Sequence, residues 1–183
     1  KSLPRRLTME PLENRIVLST LMWINRGGAG GDFDGFQASF GAGADQARAI
    51  VDAAIDSWEG VIQNFNFGHV GERGYASLAN TFNLNLSARD LVDDTLRGVT
   101  SVTAVDPDGK PIRGEITLDD NGGGDGWYFD PTPTDHAEFT DLVSRFSANK
   151  AGSDYDFYRT AAHEIGHAMG IASNRDLAIW DYL

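Results

Sequence analysis

The spacing of apolar residues changes along this chain, and each change marks a new element. From Ala44 the run ADQARAIVDAAIDSWEGVIQNF puts Ala47, Val51, Ala54, Trp58, Val61, Ile62 and Phe65 on one stripe. Asp52, Asp56, Glu59 and Gln63 fall opposite, so the run predicts an amphipathic helix with Trp58 as a core anchor. Gly41 to Gly43 read as the loop before it, and Asp45 as its N-cap. Further on, Phe82, Leu84 and Leu86 alternate with Asn83, Asn85 and Ser87, the period of a half-buried strand. In SVTAVDPDGKPIRGEITL the turn Asp106-Pro107-Asp108-Gly109 separates two strand-like runs. The second run alternates Ile112, Gly114, Ile116 and Leu118.

The next stretch, LDDNGGGDGWYFDPTPTD, has the composition of a loop. Asp135 with Glu138 three residues later predicts a capped helix start, and Phe139, Leu142, Val143 and Phe146 give that helix a stripe. A polar loop, SANKAGSD, leads into a last helix, DYDFYRTAAHEIGHAMG, whose apolar stripe is Tyr158, Ala162, Ile165 and Met169. Gly170 is placed to end it. Strands grouped beside separate helices imply an α+β domain with a mixed or antiparallel sheet. No internal repeat is present.

Composition narrows the chemistry. At 183 residues the chain can bury one core without needing a second domain. A formal charge of −12 argues against nucleic acid as a partner, because phosphates demand a basic footprint. No window approaches the roughly 20 apolar residues of a membrane span. The chain has no cysteine, which removes disulfide scaffolds, thiolate metal sites and thiol nucleophiles together. There is no G-x-S-x-G elbow and no phosphate loop.

The opening KSLPRRLTMEPLENRIVLSTLMWINRGGAGGDFDG has a basic start, an apolar run from Ile16 to Ile24 and a Gly-rich stretch. It partly matches an export signal, though Glu10 and Glu13 depart from one; an arm before a first strand is the alternative. Residues 1–35 are therefore expected to be a signal-like segment and linker, with GGDFDG in the linker. Residues 36–183 are expected to form a catalytic domain cut short at its C-terminal end, acting as a monomer.

The sharpest signal is His163-Glu164-Ile165-Gly166-His167, which fits H-E-x-x-H. Residues four apart on a helix share a face, so both imidazoles can reach one zinc ion at about 2.0–2.1 Å. Glu164, beside the first ligand, is placed to act as general base on the attacking water. Lesser candidates carry bland alternatives. Asp119, Asp120, Asn121, Asp125 and Asp130 could hold calcium, or simply form a solvated turn; no EF-hand register fits. Tyr155 and Tyr158 could approach a substrate carbonyl, or pack. His136 reads as a surface or capping residue.

HEIGHAMG resembles the metzincin peptidases, whose pattern is H-E-x-x-H-x-x-G-x-x-H. Ser173 stands where their third histidine is expected, and His69 and His136 lie upstream of the positions that family uses. In the leishmanolysin branch that ligand comes later in the chain; Asp176 and Asp181 are nearer candidates. The order of first helix, strands, Asp/Gly loop and active helix is similar to matrixin-like domains. By that likeness ITLDDNGGGDGWYFDPTPTD sits where such domains keep the edge strand that takes substrate, with metal-binding loops nearby. The resemblance implies a metzincin-like N-terminal subdomain: a mixed, twisted sheet with a long first helix and an active-site helix. RRLTMEPLENRIVLS resembles the N-terminal signature of secreted planctomycete proteins, which implies export. The expectation is a secreted bacterial zinc endopeptidase acting on protein or peptide substrate. A degenerate extracellular binding or adhesion module of the same fold is the alternative; Ser173 favours it and the intact Glu164 opposes it.

Overall fold

The computed structural model describes residues 19–67, 80–135 and 155–171. Four strands form one sheet: β1 (Thr20–Trp23), β2 (Thr81–Ala88), β3 (Gly98–Val105) and β4 (Pro111–Leu118). Their order is β1-β2-β4-β3, with β1, β2 and β4 parallel and β3 running antiparallel at the edge. The sheet is thus mixed, and the class is α+β, as the element order implied.

One face of this sheet is apolar because the alternation holds register across strands. Leu21 and Trp23 lie beside Phe82 and Leu84, and Leu86 lies beside Ile116. Against that face pack α2 (Ala44–Val61), through Ala47, Ile50, Val51 and Ala54, and α3 (Phe157–Ala168), through Phe157, Ala161, Ile165 and Ala168. Each large apolar side chain so buried contributes roughly 1.5–3 kcal/mol. Asn83, Asn85 and Ser87 on the opposite face of β2 stay half-exposed, as the period-two pattern requires.

Several expectations are corrected. The long helix ends at Val61, which is 69% exposed, because Ile62 turns extended; the buried stripe shifts to Ala47, Ile50, Val51, Ala54 and Ile55. Gly43, not Asp45, is its N-cap residue; Asp45 lies in the first turn and pairs with Arg48 at 3.1 Å. Where a loop was anticipated at Gly41–Gly43 the chain makes a 3-10 turn, preceded by a short helix, α1 (Phe36–Phe40). The helix expected after Asp135 lies outside the described residues, as does the signal-like run before Ser19.

The apolar run read as part of a leader contributes its end to the fold, since Leu21 and Trp23 alternate inward as β1. GGDFDG, read as linker, folds against α2. Asp34 is fully buried and takes a two-pronged contact from Arg48: Nε to Oδ2 at 2.9 Å and Nη2 to Oδ1 at 2.8 Å. Asp32 accepts from Arg48 Nη2 at 2.9 Å and from the Gln37 and Ala38 amides of α1. A polar Gly/Asp string looks like linker in sequence because the cation that orders it lies 14 positions away.

Rings gather where α3 begins. The edges and faces of Phe36, Phe40, Trp127 and Phe129 surround Phe157 at 6.2, 5.5, 5.0 and 5.0 Å between centroids. These tilted geometries suit the ring quadrupoles and fix the first turn of the helix. Trp127–Tyr128 (β5) pairs in parallel with Tyr155–Asp156 (β6), leading the chain into it. Farther along, Gly114 of β4 lets the helix lie close: a Cβ there would sit 2.5 Å from the Cβ of Ala168.

Candidate functional site

α3 carries the H-E-x-x-H residues, and both of its ends are built into the chain. At its start the Asp156 side chain accepts the Tyr158 amide at 3.1 Å, an N-cap. At its end Gly170 adopts φ 92°, a left-handed conformation that glycine enters without steric cost. The Gly170 amide donates to the His167 carbonyl and the Ile171 amide to the Gly166 carbonyl, both at 2.9 Å. These are the paired bonds of a Schellman turn, and they stop the helix where the sequence placed the stop.

Of the expected stripe Ile165 and Met169 are buried, but the rest of the buried face is shifted. Phe157, Ala161, Ile165 and Ala168 are fully buried, whereas Tyr158 and Ala162 are half-buried at its margin. Tyr158 and Ser57 share a hydroxyl hydrogen bond at 2.8 Å, so this tyrosine packs on α2. Tyr155 stacks beneath the Arg97 guanidinium, 3.4 Å from its ring centre. Trp58 meets the expectation of a core anchor: it packs over Gly166 and its Nε1 donates to the Ala162 carbonyl at 2.9 Å.

Opposite that face His163 and His167 come together. Their Nε2 atoms lie 2.8 Å apart and their rings stand nearly perpendicular, at 82°. His167 Nδ1 is 2.7 Å from the Ile171 carbonyl. A carbonyl can only accept, so Nδ1 carries the hydrogen and the Nε2 of a neutral His167 presents a lone pair. Two nitrogens this close must share a proton or a cation between them. The pair fits a zinc ion by donor chemistry and by convergence.

Glu164 points elsewhere, toward the edge strand, and is 8% exposed. Its Oε2 accepts the Thr100 hydroxyl at 2.6 Å, and the same hydroxyl lies 3.2 Å from the Glu164 carbonyl. Gly98 of β3 makes room: a Cβ there would lie 2.7 Å from Glu164 Cγ and 3.0 Å from Oε1. Among the described residues no group donates to Oε1. Sequence reasoning passed over Gly98, Thr100 and the Ile171 carbonyl. Thr100 did leave a trace, since it falls opposite Ile116 and so on the core face of β3, where a hydroxyl needs a partner.

The edge strand is corrected as well. β3 is the edge beside α3, while residues 119–135 form a loop apart from the two-residue β5. Its acidic side chains are spent largely on the protein itself. Asp119 accepts the Leu91, Asn121 and Gly123 amides, Asp125 pairs with Arg97 at 2.8 Å, and Asp130 accepts the Thr132 amide. The five residues that could have held calcium are therefore not gathered into one set. Asp119 and Asp120 gather instead with Asp90, their carboxylate oxygens within 4.8 Å of one another. His69, His136, Ser173, Asp176 and Asp181 lie outside the described residues.

A mixed sheet with an antiparallel edge is thus crossed by a helix bearing paired histidines and a buried glutamate. The chain belongs to the matrixin family, whose model matches residues 36–179. No curated protein and no solved structure matches it. Matrixins are hydrolases that usually bind zinc.

Proposed function

We propose that this chain is a secreted zinc-dependent endopeptidase in which His163 and His167 hold the metal and Glu164 is the general base. The observation that carries the reading is the approach of the two Nε2 atoms to 2.8 Å, with His167 turned by the Ile171 carbonyl. A zinc ion bound there would polarise the scissile carbonyl and make a nearby water easier to deprotonate. Glu164 takes the proton from the attacking water at Oε1, the oxygen that Thr100 leaves open, and returns it to the departing amine. Among the described residues the outer edge of β3 pairs with no strand, and it offers backbone groups to a peptide lying extended alongside it. Export is supported by the signature-like N-terminal segment and by the usual extracellular setting of matrixins. Among the described residues no helix is long and apolar enough to cross a membrane.

The deciding experiment measures zinc content and hydrolysis of a quenched peptide library by the full chain and by Glu164→Ala. The parent should take up zinc and cleave; the variant should keep the zinc and lose cleavage. A variant that cleaves at the parent rate, or a parent that cannot retain zinc, overturns the reading. Zinc retained by a parent that turns over no peptide selects the binding-module alternative, which Ser173 favours.

A further inference from the structure

We infer that Thr100, with Gly98 beneath it, is a positioning residue that sets the orientation of the Glu164 carboxylate. The inference rests on the reading of Glu164 as general base. A glutamate side chain has three torsions, and a base that must meet one water gains from having them fixed before substrate arrives. Among the described residues no side chain of α3 hydrogen-bonds the carboxylate; the positions one turn away are Thr160, Ala161, His167 and Ala168. The edge strand supplies the constraint. Gly98 and Thr100 are alternate residues on the core face of β3, opposite Leu118 and Ile116.

The first lacks a side chain, so Cγ, Cδ and Oε1 of Glu164 can lie against the strand at distances a Cβ would forbid. The second places its hydroxyl 2.6 Å from Oε2. A short bond from a neutral hydroxyl to a carboxylate is directional, and it commits Oε2 while Oε1 lies beside Gly98 with no donor among the described residues. It also couples the base to the strand against which substrate would lie. Backbone and base are thus registered to each other through a single side chain. The Thr100 hydroxyl has a second acceptor in the Glu164 carbonyl at 3.2 Å, so it is tied to both ends of that residue.

Two measurements on Thr100→Val and Thr100→Ser, made in the full chain, test this. The first is the Glu164 carboxylate stretch in the metal-free protein, isolated by isotope-edited infrared difference against Glu164→Gln. The second is kcat and KM on a peptide, with zinc content determined in parallel. Valine keeps the shape and removes the hydroxyl, so the band should shift and kcat should fall roughly 10- to 100-fold, with KM and zinc content little changed. Serine should restore both band and kcat. An unshifted band in the valine variant, or a shifted band with kcat at the parent level, overturns the inference. So does a loss of kcat that serine fails to rescue. Should the zinc-loaded parent prove inactive, the peptidase reading falls on that result alone. The infrared band then decides whether Thr100 orients the carboxylate.

Discussion

His167 gives its Nδ1 hydrogen to the carbonyl of Ile171, 2.7 Å away, and that carbonyl is in place only because the helix has just ended. The stop and the ligand orientation are one device. Gly170→Ala puts a Cβ into a left-handed residue at a cost of roughly 1–2 kcal/mol and loosens the turn that carries Ile171. Thermal unfolding should report that loss. Zinc affinity, read by competition with a chromogenic chelator, should weaken about 10- to 100-fold, as when an outer partner of a ligand is removed. Unchanged affinity would separate the turn from the ligand.

Where α3 crosses the sheet, Gly114→Ala should be the most damaging one-carbon addition. The new Cβ would lie 2.5 Å from the Cβ of Ala168 and 3.2 Å from its backbone, which cannot swing aside. Overpacking of this kind costs typically 1–3 kcal/mol, so the urea midpoint should fall. Because Ala168 is next to His167, zinc uptake should suffer too. A midpoint equal to the parent's would mean that the helix is free to lift.

Asp34 should dominate acid sensitivity at low pH. Burial opposes its ionisation, but the Arg48 guanidinium and the Gly27 and Phe36 amides outweigh that and hold its carboxyl at about 2. A carboxyl held below its unfolded value stabilises the fold above about pH 4 and loses that contribution as pH drops through about 2. Asp34→Asn leaves the Arg48 cation buried against a neutral group. It should cost roughly 3–5 kcal/mol at pH 7, with a deficit that narrows toward pH 2 in denaturant titrations. A deficit independent of pH would assign the loss to packing.

Asp156 works in the opposite sense. Burial lifts its carboxyl to about 6 despite the Tyr158 amide and Arg159, and Asp130 nearby adds to the rise. Here the folded state holds the proton more tightly than the unfolded one. The group therefore costs stability progressively as pH climbs from about 4 to about 6, and in full above that. Asp156→Asn keeps a capping oxygen and removes the charge, so it should raise stability above pH 6 by about 1–3 kcal/mol and flatten the slope below it. Lower stability at pH 8 would show that the Arg159 contact outweighs the burial cost.

Much of this arrangement was legible in the sequence, and the reason differs from element to element. β2 could be read because Phe82, Leu84 and Leu86 alternate without a break, so one face had to be inside. The turn at Asp106 could be read because its Oδ1 caps the Asp108 and Lys110 amides, a purely local bond. The H-E-x-x-H helix was visible because one helical turn is also local. What escaped depends on distant chain segments. The partner of Asp34 is 14 residues away on α2, and that of Glu164 is 64 residues away on an edge strand. Ile165 and Met169 of the α3 stripe were legible, whereas the burial of Glu164 and Ala168 was not, because Gly98 and Gly114 let the sheet approach a face bearing small and polar groups. No period of hydrophobicity records that approach.

The grip of Asp32 and Asp34 on Arg48 bears on how this protein can be cut. The family match begins at Phe36, just past both carboxylates. A recombinant piece trimmed there would keep a guanidinium in the interior with its two main counter-ions discarded, and would bare the flank of β2 that Thr20–Trp23 now covers. Expression at that boundary should give aggregates, whereas starting upstream of Ser19 keeps the charge neutralised and the flank sealed.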